Sequence, residues 1–273
     1  MAVSAGRVFF ANAARQHLAS HCALVGLVAR KHVEQNHPRR TDWALGAMLA
    51  GFLHDIGKLD PAFQDQLALG EPPDSPFGAG PRVYETSWAL THLAFDPARM
   101  RKHLPAALPW PIIQYVVYWR KPTPINAWEQ KRFASLSQIR QRAGAWIENY
   151  PLDLSEFMVD LEVRTAVPLF EMEPQPRITG EVQTPAFKRE ADLPAMMSAE
   201  ERSSQEVMGT AIRSALLFSD RMVSPMGGRE VDDWLHAWRT SKLLPELVTK
   251  VHEVDDYTTI PGDDFFNQDG VRA

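Results

Sequence analysis

The segment Gly51-Phe52-Leu53-His54-Asp55-Ile56-Gly57-Lys58 sets an imidazole and a carboxylate side by side at the close of an apolar run. Burying an aspartate beside a histidine is unfavourable unless a cation or hydrogen bonds compensate. A divalent metal does so, because imidazole nitrogen and carboxylate oxygen are both ligands for first-row ions. One His-Asp pair alone is equally consistent with a capped helix end and a solvated carboxylate. Two more residues narrow the choice. His21 shares an apolar stripe with Leu18, Cys22, Val25, Val28 and Ala29, spaced as one face of a helix. Asp220 follows Leu216 by four residues and Ile212 by eight, in line with the apolar face of another helix. His21, His54, Asp55 and Asp220 therefore form a candidate single-metal site. Their two carboxylates would neutralise a divalent ion and leave positions for water and a phosphate oxygen.

Distant helices must carry these four side chains to one place. Helical periodicity dominates the chain, and no alternating pattern lasts long enough to predict a sheet, so the expected fold is all-α. A first helix is expected from about residue 12 to 35, broken by Pro38. Thr41 is suited to cap a second, which carries Leu45, Met48, Leu49, Phe52 and Ile56 and closes near Gly57, a favourable C-cap. Pro61 fits the first turn of a short helix containing Phe63 and Leu67. Residues 70–82 are rich in Gly and Pro and read as an exposed loop. Further helices are expected over 85–95, 111–120, 125–148, 153–163, 199–223, 229–240 and 243–251. Pro168, Pro174, Pro176, Pro185 and Pro194 make 168–195 a long Pro-rich loop insertion. Residues 1–252 read as one domain. The stretch 253–269 holds six acids and no Lys or Arg, so 253–273 reads as an acidic tail or linker.

Composition bounds the function. Apolar residues make up 45 % of the 273 and charged residues 23 %, enough for a well-buried core. The single cysteine, Cys22, excludes an intrachain disulfide and any multi-cysteine zinc site, and fits a reducing, cytoplasmic setting. Inside its apolar stripe it reads as a core residue. No apolar run approaches the ~20 residues of a membrane helix, so no membrane partner is expected. The net charge of −5 leaves polyanion binding to a local patch. One candidate is 120–142, where Arg120, Lys121, Lys131, Arg132, Arg140 and Arg142 face a single acid, Glu129, with Trp119 and Trp128 nearby. A solvated basic helix face explains it equally well. Gly51 to Lys58 has five residues between its glycines and Leu59 in place of Ser or Thr, so it is no ATP-binding phosphate loop.

His21-x-x-x-Val25, then His54-Asp55-Ile56-Gly57-Lys58 with Phe63-Gln64, then Ser219-Asp220-Arg221 resemble the HD nuclease domain of the type I CRISPR-associated helicase–nucleases. The run Leu216-Leu217-Phe218-Ser219-Asp220-Arg221-Met222-Val223-Ser224 is most similar to the type I-F branch. Order and spacing match from about residue 15 to 225. The resemblance implies an HD-domain helical bundle that cuts single-stranded DNA with transition metals. His21, His54, Asp55 and Asp220 would hold one ion, Asp55 would bridge toward a second, and Lys58 would steady the phosphate. Gln64, Arg120 and Lys121 join Lys58 as candidate substrate-binding residues. The implied partners are single-stranded DNA, a crRNA-guided surveillance complex, and a helicase part in the same chain or in trans.

The chain departs from that pattern twice. It reads Tyr84-Glu85-Thr86-Ser87 where the family has His-Glu-x-x-Ser, and Tyr118-Trp119-Arg120-Lys121-Pro122 where the family has a His-His pair. The missing histidines would be second-metal ligands, so one ion (Mn, Fe, Ni, Co or Zn) is expected rather than two. Guanidinium and ammonium cannot ligate a metal. Arg120 or Lys121 could instead stand as a fixed cation in the second position, or His92 or His103 could supply the absent ligand. Two other functions stay open, an impaired HD domain kept for docking or assembly and an HD phosphohydrolase acting on nucleotides.

Overall fold

Every residue from Leu18 to Ala29 is buried. A helix apolar all round must sit at the centre of its domain, and this one does. The computed structural model describes residues 8–68, 83, 86–87, 90–91, 95, 100, 102, 104–108, 110–118, 151–167 and 199–241. Among them 78 % are helical and none lies in a strand, which establishes the all-α fold.

The elements, in order, are α1 (Leu18–Asn36), α2 (Thr41–Leu53), a 3-10 turn (Ile56–Leu59), α3 (Pro61–Ala68), α4 (Trp110–Tyr118), α5 (Pro151–Thr165), α6 (Ala199–Val223) and α7 (Gly228–Ser241). Joined by residues 37–40, α1 and α2 form an antiparallel hairpin at the centre. α6 packs across both, α5 and α7 cover α1, and α4 covers α2 and α6. The core includes Leu18, Leu24, Leu27, Leu49, Phe52, Leu53, Ile56, Leu59 and Trp110.

Two glycines set how closely the central pair approaches. A Cβ on Gly51 would overlap Gly26 Cα, and one on Gly26 would stand 2.7 Å from the Met48 carbonyl oxygen. Backbone therefore meets backbone where α1 crosses α2.

Most expected boundaries hold: the helices expected over 111–120, 153–163, 199–223 and 229–240 are α4, α5, α6 and α7. Four expectations need correction. α1 begins at Leu18 instead of residue 12, because residues 10–17 fold back in a loop with an isolated bridge between Phe10 and His17. Arg15 turns that loop at φ 55°. Thr41 is the first helical residue of α2 and Arg40 the cap, without a side-chain capping bond. α2 stops at Leu53, and Gly57 lies inside the 3-10 turn, where a Cβ would overlap the Val83 carbonyl oxygen and stand 2.7 Å from Ser87 N. Its small size lets another segment approach; it does not cap a helix. The α1 stripe is also wider than one face, since neighbours cover the helix on all sides. Within the helix expected at 85–95, residues 86, 87, 90 and 91 are helical. The elements expected at 125–148, 168–195 and 243–251, and the acidic tail, lie outside the described residues.

Gly51→Ala should lower the unfolding free energy by about 3 kcal/mol, the upper part of the range for overpacking a filled core. Gly209→Ala, whose Cβ meets only Ile112 at 4.0 Å, should raise it by about 1 kcal/mol through helix propensity. Urea denaturation of both variants measures the contrast.

Candidate metal centre

The helix crossing determines where the histidines fall. His21 lies five residues before Gly26 on α1, and His54 three residues after Gly51 at the end of α2. In an antiparallel pair those offsets bring the two rings to the same end, with centroids 5.3 Å apart. His54 keeps right-handed helical backbone as the α2 C-cap, and Asp55 leaves the helix at φ −113°, ψ 13°. Gly46 admits the Ile212 side chain of α6, since a Cβ there would stand 2.7 Å from Ile212 Cδ1. Eight residues further along each segment come His54 and Asp220. α6 thus runs in the direction of α2 and delivers Asp220 to the same end.

Four side chains converge there. His21 Nε2 lies 3.6 Å from Asp55 Oδ2 and 3.4 Å from Asp220 Oδ1. His54 Nε2 lies 3.5 Å from each of the same two oxygens. Both Nε2 atoms are buried without a hydrogen-bond partner. The other ring nitrogens are engaged: His21 Nδ1 with Gln16 Oε1 at 2.8 Å, and His54 Nδ1 with the Gly51 carbonyl oxygen at 2.7 Å. A carbonyl only accepts, so His54 Nδ1 carries the proton and, in the neutral ring, Nε2 keeps its lone pair.

Two unpartnered imidazole nitrogens facing carboxylate oxygens at 3.4–3.6 Å sit too far apart for good hydrogen bonds. They sit at the spacing of neighbouring ligands on one ion, about 3–3.5 Å for bonds near 2.1 Å. The ligand atoms of His21, His54 and Asp55 all lie within 4.8 Å of one another, a buried group that could hold a metal ion. Asp220 is not a member of that group, but its Oδ1 faces both imidazole Nε2 atoms at 3.4 and 3.5 Å. The side chains of His21, His54 and Asp55 are 1, 0 and 2 % exposed, whereas Asp220 is 29 % exposed, so solvent reaches the cluster from the Asp220 side.

Electrostatics agree with that assignment. Burial holds the His21 pKa below the usual imidazole value, and the His54 ring and Lys58 add to the depression. Asp220 and Asp55 pull in the opposite direction without overcoming burial. His21 is therefore neutral and able to ligate at pH 7. α2 and α6 both end at the cluster, and the partial negative charge of helix C-termini favours a cation. Ser224 Oγ donates to Asp220 Oδ1 at 2.9 Å and orients the carboxylate.

The remaining candidates divide. Lys58 Nζ lies 2.5 Å from Asp55 Oδ2 and above the Phe63 ring, so it belongs to the cluster. Gln64 has its amide committed to backbone: Oε1 accepts from Phe10 N at 2.9 Å, and Nε2 donates to Phe10 O at 3.0 Å and Lys58 O at 2.6 Å. It fastens the N-terminal loop to the turn that carries Lys58. Arg120, Lys121, His92, His103 and the basic stretch 120–142 lie outside the described residues. Cys22 is a buried core residue. Sequence reasoning missed Gln16 and Ser224, which touch the ligands. Both are common polar residues beside helix ends, and no periodicity marks them.

In the metal-free protein, stability should fall as pH drops below about 6.5. The unfolded imidazole then takes up a proton that folded His21 still refuses, so the unfolded state binds more protons. Thermal unfolding across pH 7.5 to 5 measures this, and His21→Asn should flatten the profile. A divalent first-row ion should raise the melting temperature at pH 7.5 and do so less at pH 5.5, with EDTA reversing the shift. Comparison with protein-family models, curated proteins and solved structures finds no match to the chain.

Proposed function

We propose that this chain is an HD-type, metal-dependent phosphodiesterase that hydrolyses single-stranded DNA. The observation that carries the reading is the pair of buried, unpartnered Nε2 atoms turned toward the carboxylates of Asp55 and Asp220. His21, His54, Asp55 and Asp220 fit one first-row ion such as Mn, Fe, Co, Ni or Zn. Such an ion supplies Lewis acidity toward a phosphoryl oxygen and lowers the pKa of water at neutral pH.

The chain's own residues supply the rest. Gly51 holds His54 in its tautomer, and burial keeps His21 neutral. Lys58 places an ammonium beside Asp55, which supports one ion rather than two, because a fixed cation there disfavours a second. Two carboxylates, one ammonium and one divalent ion leave a single net positive charge, which suits an anionic phosphodiester. Phosphate would approach from the Asp220 and Lys58 side, where the cluster meets solvent. Single-stranded DNA, the type I CRISPR setting, the helicase part and the surveillance complex rest on the sequence resemblance. No described helix is long and apolar enough to cross a membrane.

Purified protein with manganese, cobalt or nickel should cleave single-stranded DNA. Asp55→Ala should cut the rate by more than about 100-fold, beyond the loss of an outer-shell partner. Hydrolysis of mononucleotides with no cleavage of DNA would assign the nucleotide phosphohydrolase instead. Wild type and Asp55→Ala equally inert on both would point to docking.

A further inference from the structure

Gln16 is fully buried in the loop that precedes α1, and every polar atom of its amide is used. Its nitrogen reaches three carbonyl oxygens at and just past the end of α6: Val223 at 2.8 Å, Ser224 at 3.3 Å and Met226 at 2.5 Å. Carbonyls left over at a helix C-terminus need donors. Carbonyl oxygens need a donor and only the NH2 end of the amide carries hydrogens, so these contacts fix which end of the amide is which, independently of the histidine. The oxygen must then face His21 Nδ1, 2.8 Å away. An amide oxygen accepts and never donates. His21 Nδ1 must therefore carry the proton, and the lone pair falls to Nε2, the atom turned toward Asp55 and Asp220.

We infer that Gln16 is the positioning residue of the candidate metal centre. It sets the His21 tautomer and spaces His21 from Asp220. The contacts form a closed circuit. Asp220 stands in the last turn of α6; Val223 ends that helix; Gln16 binds the Val223 carbonyl and His21; His21 Nε2 faces Asp220. A shift of the α6 end relative to α1 must stretch either the Gln16 contacts or the spacing between His21 and Asp220. Asn12 braces the same loop, accepting from Gln16 N at 3.4 Å and donating to Ser224 O at 3.2 Å. The consequence for ion binding rests on the metal reading proposed above; the tautomer assignment does not.

The first measurement needs no variant. Long-range proton–nitrogen correlation spectra of the metal-free, 15N-labelled full chain at pH 8 report the tautomer of each neutral imidazole, with His21→Asn assigning the signals. His21 should show a protonated Nδ1 and a bare Nε2; a protonated Nε2 would overturn the inference. Gln16→Met removes both donor and acceptor. It should give a mixture of His21 tautomers and weaken cobalt binding about 10- to 100-fold. Gln16→Glu keeps an acceptor for Nδ1 while setting a carboxylate against the three carbonyls. It should preserve the tautomer and restore cobalt affinity, with a lowered melting temperature. A Gln16→Met protein with wild-type tautomer and wild-type cobalt affinity would refute the inference. If the wild type takes up no cobalt, the metal reading fails, and the tautomer spectra still decide the role of Gln16.

Discussion

Backbone contact between α1 and α2 at Gly26 and Gly51 is the constraint from which the site follows. Helices separated by ordinary side chains stand 8–10 Å apart. With no Cβ at the crossing these two come closer, and Phe52 lies directly against Gly26. His21 and His54 flank that crossing at short sequence offsets, so the approach that packs the core also brings the two rings to 5.3 Å. The same device recurs at Gly46, which admits Ile212 and sets the register of α6. Gly57 repeats it on the far side of Asp55, where its N–H is held by Ser87 Oγ at 2.9 Å. Small residues thus position every element that contributes a candidate ligand.

Such a site carries an electrostatic cost. Two imidazoles and the Asp55 carboxylate are almost entirely withdrawn from water, and burying polar groups is unfavourable unless they find partners. Part of that cost is offset within the chain: Lys58 stands beside Asp55, and Ser224 donates to Asp220. The two Nε2 atoms are left with nothing to bond. Buried polar atoms without partners are uncommon in folded proteins. Two of them turned toward the same pair of carboxylates belong to a buried group that could hold a metal ion. A second ionic group lies nearby, where Arg164 binds Asp160 and Asp232 and Ser20 donates to Asp232. It ties α5 and α7 to α1, and its members are satisfied by one another.

The N-terminal loop holds the ends of these elements together. Gln64 pairs with both backbone groups of Phe10 and with the Lys58 carbonyl, joining the loop to the turn after Asp55. Gln16 joins the same loop to the end of α6. Gln64 drew notice only through the family resemblance, as a candidate for substrate binding, and Gln16 drew none. A long polar side chain outside a periodic segment reads as surface, and only the fold reveals that its amide is enclosed by backbone.

His54-Asp55 at the close of an apolar run, His21 among apolar neighbours and Asp220 in line with Leu216 were legible as candidate ligands in the sequence, through the family resemblance more than through spacing. So were the all-α character and the span of α6, because helix periodicity and capping are local properties. The tertiary structure decided how these pieces meet. It showed α1 buried on every side, started that helix at Leu18, and put Gly57 at a close approach where a helix cap was expected. It also turned Gln16 from an unremarked loop residue into a partner of His21. The reason is physical: a sequence specifies which face of a helix is apolar, but tautomers, ligand spacings and close approaches depend on atoms that are distant in the chain and near only after packing.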